Sequence, residues 1–405
     1  MRSLLPVVLF AACIGGGEPT VPTAPKAPTE PSWTRSLALC ESPFSLDGAK
    51  ATPGAATLHL LRGVDGKIQQ TTLKDPDSTV FHKAISFEGG LLTIAGDGAK
   101  VVHWVKTSTE WTPTTLWAPT FGGTTDRVRD LEVADLDGDG VMELIVATHD
   151  RGVVAVGTKG EDEWTWVELS RSDNTFVHEI EVGDVDGDGV PEIYATPSLP
   201  NMSSGHIQPG KIVRFVRAPE GWVQEVVADW ADSHAKEILV ADLGSGVELL
   251  ALREGRTGPG ARLVEPAAVL RLVRGKDGWT EQTIAALPGE RQARFLVPGD
   301  VDQDGQVELI VTGFKTGVWL LDRPDKSADY AASLIDGSSR GFEQAAHVAD
   351  LDGDGKTEIY VVSEPPPPAA RTLHRYTWSG RGFDRKALFT LHGFGLVWCV
   401  QSVDH

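Results

Sequence analysis

Four acidic segments of the chain share the frame Asp-x-Asp-x-Asp-Gly-x-x-Glu, and this repeated frame constrains the fold more than any other feature. The segments begin at Asp135, Asp184, Asp300 and Asp350. Three carboxylates at alternate positions can surround one hard cation, and the glycine at position 6 permits the sharp turn that this requires. A backbone carbonyl at position 7 and the glutamate at position 9 complete a calcium shell. The frame therefore predicts about four bound, structural calcium ions.

The predicted calcium ligands follow from the frame. They are Asp135, Asp137, Asp139, Val141 and Glu143; Asp184, Asp186, Asp188, Val190 and Glu192; Asp300, Asp302, Asp304, Gln306 and Glu308; and Asp350, Asp352, Asp354, Lys356 and Glu358. An EF-hand is excluded because position 12, where it needs a glutamate, holds valine or alanine in every copy. β-Branched segments flank each loop, so the loops join strands. The alternative is a set of acidic Asp-Gly turns without an ion.

The loops mark a repeating unit of about 50 residues. Two copies without the triple aspartate lie at residues 84–94 and 236–249, and a lone strand at residues 396–400 has its missing partners at residues 56–61 and 67–71. An aromatic residue opens the last strand of each unit, at Trp111, Trp164, Trp222, Trp279, Tyr330 and Phe383. Units of four short strands predict an all-β, seven-bladed β-propeller whose last blade is closed by both termini.

The first residues have the features of an export signal. Arg2 precedes an apolar stretch, residues 4–12, that is too short to span a bilayer as a helix. The stretch ends in Leu-Phe-Ala-Ala-Cys at Cys13, which resembles a bacterial lipobox, where the cysteine becomes lipidated. Prolines at every third position from Pro19 to Pro31 indicate a polyproline II stalk.

Domain bounds and localisation follow from this segment. We expect a lipoprotein signal peptide over residues 1–12, the lipidated Cys13 and its stalk over residues 13–35, and the propeller over residues 36–405. The protein would contact a membrane through its lipid alone. Ile14 stands where an aspartate often directs retention at the inner membrane, so we expect the outer membrane of the bacterial envelope, with the body periplasmic or surface-exposed. An ordinary signal peptide with an incidental Cys13 is the alternative.

Two cysteines remain once Cys13 is assigned to lipid. Cys40 and Cys399 lie at the two ends of the folded region, and an exported compartment favours disulfides. Closure of the ring would bring the two ends together. We therefore expect a Cys40–Cys399 disulfide, and two separate buried thiols are the alternative.

The net charge narrows the choice of partner. The chain has 57 acidic and 37 basic residues, and its net charge is −20. Such a charge repels a polyanion and removes the counterion release that drives nucleic-acid binding. We therefore expect no nucleic-acid partner.

A series of polar residues lies at matching offsets before the innermost strands, on the face opposite the acidic loops. They are His82, Arg129, His178, Lys236, Arg294, Gln344 and His392. A basic rim at one mouth of the channel would attract an acidic ligand. Long loops at residues 198–211 and 253–266 lie on the same face and suit a protein ligand instead. The alternative is that these residues cap strands or pair with acids such as Glu179 and Asp130.

The four loops resemble the calcium loops of FG-GAP and VCBS repeat proteins, whose relatives include the propeller of integrin α subunits. The VCBS branch is the closer likeness, because the Phe-Gly and Gly-Ala-Pro pieces are mostly absent. The resemblance implies a calcium-dependent propeller used for adhesion, carbohydrate binding or, in some members, polysaccharide cleavage.

The expected function is a calcium-binding, membrane-anchored recognition module whose ligand is a glycan or a protein. The alternative is a polysaccharide lyase-type enzyme, with His178 or His234 as the base beside Arg129 or Arg294. No Gly-x-Ser-x-Gly elbow, His-Glu-x-x-His pair or phosphate-binding glycine loop is present, so we assign no catalytic residue.

Overall fold

The computed structural model describes residues 32–404, apart from 48–49, 97, 109, 201–207, 327, 342–344 and 366–369. This part of the chain is almost wholly β-structure, with one 3₁₀ turn at Pro259–Ala261. No helix within it is long and apolar enough to cross a bilayer. The predicted signal peptide, Cys13 and the stalk up to Pro31 lie outside the described residues.

Seven antiparallel sheets form the blades of a propeller. The N-terminal strands are β1 (Ser36–Asp47), β2 (Lys50–Pro53), β3 (Ala56–Val64) and β4 (Lys67–Asp75). Blade 2 comprises β5 (Val80–Phe87), β6 (Gly90–Gly96), β7 (Lys100–Lys106) and β8 (Trp111–Trp117). Blade 3 comprises β9 (Val128–Ala134), β10 (Glu143–Thr148), β11 (Val154–Lys159) and β12 (Trp164–Ser170). Blade 4 comprises β13 (Phe176–Gly183), β14 (Glu192–Ser198), β15 (Gly210–Ala218) and β16 (Gly221–Trp230).

The remaining blades follow in the same order. Blade 5 comprises β17 (Ala235–Asp242), β18 (Val247–Arg253), an inserted hairpin of β19 (Arg256–Thr257) and β20 (Leu263–Glu265), then β21 (Ala268–Gly275) and β22 (Gly278–Ala286). Blade 6 comprises β23 (Ala293–Gly299), β24 (Glu308–Gly313), β25 (Val318–Asp322) and β26 (Ala331–Asp336). Blade 7 comprises β27 (Ala346–Ala349), β28 (Glu358–Ser363), β29 (Arg371–Trp378) and β30 (Phe383–Leu391), and β31 (Phe394–Val403) ends the chain.

Blade 1 closes the ring with strands from both termini. The inner strand β31 pairs with β1, and β1 pairs with β3, which pairs with β4. The sequence predicts β3 and β4 as the partners of the last strand, but β1 lies between them and β31. Cys40 lies directly opposite Cys399, with their Cα atoms 5.1 Å apart, and the two form the predicted disulfide.

The core lies between the blades. Seven clusters of buried apolar side chains each join one pair of adjacent blades; one of them packs Leu60 of blade 1 against Phe81 and Leu91 of blade 2. Second strands such as β10 and β28 are buried along their whole length because both faces of a blade contact neighbours. The predicted aromatic residues lie at or next to the start of each outermost strand, which confirms the register of the repeat.

The two faces of the ring carry different groups. All inner strands run in the same direction, so the acidic loops (residues 135–143, 184–192, 300–308 and 350–358) leave one face, which we name the acidic-loop face. The N-terminal ends of the inner strands lie at the opposite, mouth face. The chain enters on the acidic-loop face, where Thr34 N donates to Leu351 O at 2.7 Å and Trp33 N donates to Gly63 O at 2.9 Å.

The Cys40–Cys399 bridge should stabilise the closed ring. Replacing both cysteines by alanine removes a link between the ends of the folded chain, and we expect the free energy of unfolding to fall by about 2 to 4 kcal/mol. Urea denaturation of the two proteins measures this difference. A reducing agent should lower the midpoint of the wild-type protein and leave the double variant unchanged; equal midpoints for both proteins would show that β1–β31 pairing suffices.

Candidate metal loops and channel mouth

The four acidic loops share one backbone conformation. The first aspartate accepts backbone N–H groups from later in the loop: Asp184 Oδ1 accepts from Gly187 N at 2.7 Å and Asp184 Oδ2 from Gly189 N at 2.8 Å. Gly187 and Gly189 have φ of 76° and 87°, so positions 4 and 6 are both left-handed. In the third loop the non-glycine residue Gln303 takes position 4, with φ of 66°. The sequence frame indicates the need for a left-handed backbone only at position 6.

Each loop brings carboxylates together. Oxygen atoms lie within 4.8 Å of one another in four groups: Asp135, Asp137 and Glu143; Asp184, Asp186 and Glu192; Asp300, Asp302, Asp304 and Glu308; and Asp350, Asp352 and Asp354. Three of the predicted carboxylate ligands stand outside these groups. They are Asp139, whose Oδ1 accepts Val141 N at 2.7 Å, Asp188, whose Oδ1 accepts Val190 N at 2.8 Å, and Glu358.

The third loop provides the best test of whether a cation fits. Glu308 is fully buried, and its Oε2 accepts Val301 N at 2.8 Å. Its Oε1, together with Asp300 Oδ1 and the side-chain Oε1 of Gln306, is buried and has no hydrogen-bond partner among the described residues. Burial and the neighbouring charge of Asp302 raise the pKa of Glu308 to about 7. These unpartnered hard oxygens fit calcium, which would satisfy them and offset the repulsion.

β-Bulges build the mouth of the channel. Near its N-terminal end the inner strand of blades 2 to 6 has a bulge, where the pairing register shifts. The residues that the bulges leave unpaired include His82, Arg129, His178, Lys236 and Arg294. A bulge re-aims side chains that strict alternation would separate. Arg294 Nη1 reaches Glu179 Oε2 at 3.4 Å, and these residues belong to blades 6 and 4, so the contact extends past blade 5 at the mouth.

Four histidines form a continuous series around this mouth. Ring centroids are 6.4 Å apart for His82 and His149, 6.4 Å for His149 and His178, and 5.1 Å for the stacked rings of His178 and His234. Their exposures are only 4 to 6%, and among the described residues none of their Nε2 atoms has a hydrogen-bond partner. Burial, then neighbouring arginines, holds the pKa of His82 and His149 well below the ordinary value.

Acidic side chains lie close to the arginine and lysine side chains of the mouth. Arg294 Nη1 is 2.8 Å from Glu237 Oε2, and Lys236 Nζ is 3.0 Å from Glu254 Oε1. Burial raises the pKa of Glu237 to about 7, and burial with the charges of Asp130 and Glu237 raises that of Glu179 well above its ordinary value. Pairing with acids, the alternative interpretation of the rim, therefore applies to Lys236 and Arg294.

The structure separates the predicted rim residues into two sets. The five on bulges meet at the mouth, but His392 is exposed and lines a cleft with Lys386–Thr390 and Gly66–Ile68 at the outer edge of blades 7 and 1. The prediction for His392 is therefore wrong, because His392 lies before the inner strand β31 begins, whereas the other five lie on bulges within their inner strands. Gln344 lies outside the described residues.

Sequence offsets missed His149, because it follows the second strand of its blade instead of preceding an inner one. The direction of the strands could have identified it, since the second strand of each blade ends at the mouth face. In the loop at 253–266, Arg253 and Arg256 both pair with Glu265. Part of the loop at 198–211 lies outside the described residues.

Known proteins share the repeats and the fold. The FG-GAP-like repeat family matches residues 135–195 and 300–361, which contain all four acidic loops. The crystal structure of a protein from Lactobacillus plantarum, a structural genomics target, matches with a TM-score of 0.58 at 10% identity, covering 91% of this chain and 99% of that one. At this identity the likeness shows the fold alone. No curated protein matches the chain.

Calcium should stabilise the folded protein through these loops. At ~1 mM calcium and dissociation constants of ~0.1 to 1 mM, each site adds roughly 0.4 to 1.4 kcal/mol to the free energy of unfolding. Thermal melts in calcium and in EDTA measure the increment. Asp302→Asn should reduce it, whereas Asp242→Asn, in the copy without the triple aspartate, should not. Identical wild-type melts in calcium and EDTA would contradict the assignment.

Proposed function

We propose that this seven-bladed β-propeller with FG-GAP-like repeats is a calcium-stabilised recognition module that binds an acidic glycan group at the mouth of its channel. Propellers with such repeats are typical of ligand-binding or adhesion modules. The calcium ions stabilise the ring on one face, and the opposite face carries the binding groups. The observation that supports this proposal most directly is the series of four buried histidines whose Nε2 atoms have no hydrogen-bond partner among the described residues.

The hydrogen-bond partners of two histidines assign complementary roles to them. Arg129 Nη1 donates to His82 Nδ1 at 2.6 Å, so the proton of neutral His82 resides on Nε2, which can donate to a ligand oxygen. His234 Nδ1 donates to Gln208 O at 3.2 Å, so its neutral Nε2 can accept a hydroxyl group. A sugar offers both an acceptor and hydroxyl donors.

The surrounding charges favour an anionic group over a metal ion. Burial, then the nearby charges of His234 and Lys236, holds the pKa of His178 well below its ordinary value. The charges of Lys236 and Arg129 support a positive local field at the His178 ring, and the carboxylate of Glu254 lies 3.8 Å from Nε2 of His234. Such a field repels a divalent cation and attracts a carboxylate or sulfate. Because these side chains are almost completely buried, a terminal group of a glycan fits better than the middle of a chain.

Lyase activity is the second candidate because the rings of His178 and His234 stack 5.1 Å apart beside Lys236. Among the described residues neither Nε2 has a hydrogen-bond partner, and Glu254 Oε1 lies 3.8 Å from that of His234. A base beside a cation is what proton abstraction from a uronate needs. Tyrosines do not assist at this mouth. The hydroxyls of Tyr194 and Tyr360 lie by the acidic loops, bound to Glu192 and Glu358 at 3.0 and 3.2 Å.

Binding should be retained on acidic polysaccharides and lost in mouth variants. With calcium present, His178→Ala and Arg129→Ala should each weaken retention about ten-fold or more, the loss expected when a buried polar contact to a charged group is removed. His392→Ala, at the outer edge, is the matched control and should bind like the wild type. New chain ends that disappear in His178→Ala would establish the lyase, and no retention of any polysaccharide would direct the search to protein ligands.

The pH dependence gives that experiment an internal check. A bound anion raises the histidine pKa values from their depressed levels, so binding takes up protons. Protonation of Glu179 and Glu237, whose pKa values are raised, also reduces repulsion of an anion. Affinity should therefore increase as the pH falls from 8 to 6; the opposite trend would contradict an anionic ligand at this mouth.

We further propose that the protein is a lipoprotein of the bacterial cell envelope, anchored through Cys13. The export signal, the lipobox-like end and the proline-rich segment support this proposal. Cys13→Ser should abolish palmitate incorporation and move the protein from the membrane to the soluble fraction of a bacterial host. Cys399→Ala should still incorporate the label, and an unlabelled wild-type protein would contradict the proposal.

A further inference from the structure

The acidic loops differ in how the glutamate at position 9 is used. In the first three loops its Oε2 accepts the backbone N–H of position 2: Leu136 N to Glu143 at 2.9 Å, Val185 N to Glu192 at 3.1 Å, and Val301 N to Glu308 at 2.8 Å. In the part of the chain that the structure describes, the other oxygen of Glu308 has no hydrogen-bond partner. In the second loop, however, Arg214 Nη1 donates to the corresponding Oε1 of Glu192 at 2.8 Å.

Arg214 is held inside the second loop. Its side chain is 1% exposed, and its Nη1 also lies 3.0 Å from Asp186 Oδ2. The other side of the guanidinium contacts Glu225 at 2.8 Å, and its Cζ lies 5.6 Å from the centre of the Trp279 ring. Arg274 from blade 5 also contacts Asp186 Oδ2. Two guanidinium groups therefore bind Oδ2 of Asp186, whereas its Oδ1 is buried without a hydrogen-bond partner among the described residues.

An arginine takes the position of Arg214 in blades 5 and 7, and an apolar residue takes it in blades 3 and 6. Arg214 lies on β15 opposite Tyr194, and Arg375 lies on β29 opposite Tyr360 in blade 7, where its charge acts on Glu358. The apolar pairs are Val156 opposite Ile145 in blade 3 and Leu320 opposite Ile310 in blade 6. Blade 5, which has lost the triple aspartate, keeps an arginine there, and Arg271 Nε donates to Glu248 Oε2. An arginine thus bonds the position-9 glutamate in a copy without the metal frame.

We propose that Arg214 is a built-in counter-ion of the second loop, which therefore binds calcium much more weakly than the third loop and keeps its conformation without the metal. A calcium ion and a buried guanidinium that share Asp186 and Glu192 repel each other. Among the described residues, no basic side chain contacts the carboxylates of the third loop. This inference rests on the calcium binding proposed above, and it makes the four sites unequal.

Calorimetric calcium titration of the metal-free protein tests the inference. We expect a weak site at the second loop of the wild type and a distinctly tighter site at the third loop. Arg214→Met should strengthen the weak site about ten-fold or more, because a like charge leaves a buried cation site. Arg217→Met is the matched control: this arginine contacts Asp137 of the first loop at 3.2 Å but is 44% exposed, so solvent screens it and the change should stay below about two-fold.

If Arg214→Met does not fold without calcium, two glutamate variants test the same inference. Glu308→Gln should remove a tight site, whereas Glu192→Gln should remove only the weak one. Weaker calcium binding by Arg214→Met, or the loss of a tight site in Glu192→Gln, would overturn the inference and make Arg214 a group that orients the ligands. A wild-type protein that binds no calcium would overturn the metal assignment itself.

Discussion

The antiparallel pairing of β31 with β1 is the interaction on which the rest of the structure depends. It runs from Ser36 opposite Val403 to Phe44 opposite Phe394, and the Cys40–Cys399 bridge lies within it. Each blade buries both faces against its neighbours, so no blade has a complete core until the ring closes. The mouth depends on the same closure, because the ring of Trp398 on β31 packs 4.7 Å from that of His82 on β5.

The sequence predicts well the features that repeat in each blade, and it predicts poorly the features that join distant parts of the chain. The four loops, the blade length and the outer aromatic residues follow from local spacing, which one blade is enough to define. The insertion of β1 between β31 and β3 does not, because it joins segments from opposite ends of the chain. The mouth was predicted only in part. The offsets identified five of its residues, but a bulge breaks the alternation from which neighbours such as Glu179 could be assigned to the channel.

The negative charge of buried carboxylates can be compensated in three ways in this propeller. Glu308 presents a free oxygen suited to a metal ion, and Glu192 has the guanidinium of Arg214 instead. Glu237 at the mouth lies against Arg294, and its raised pKa allows a proton to neutralise part of the remaining charge. A protein whose net charge is −20 can therefore hold many acids in its interior without one shared source of positive charge.

The path by which the chain enters the ring sets its orientation. Thr34 donates to Leu351 inside the fourth acidic loop, and the ring of Trp33 packs edge-on against Tyr360 at 6.2 Å. The described chain therefore begins at the acidic-loop face, and the histidine-lined mouth lies on the opposite face. A mechanical pull on the N-terminal end of this chain would act first on the fourth acidic loop, so the acidic-loop face would carry the load.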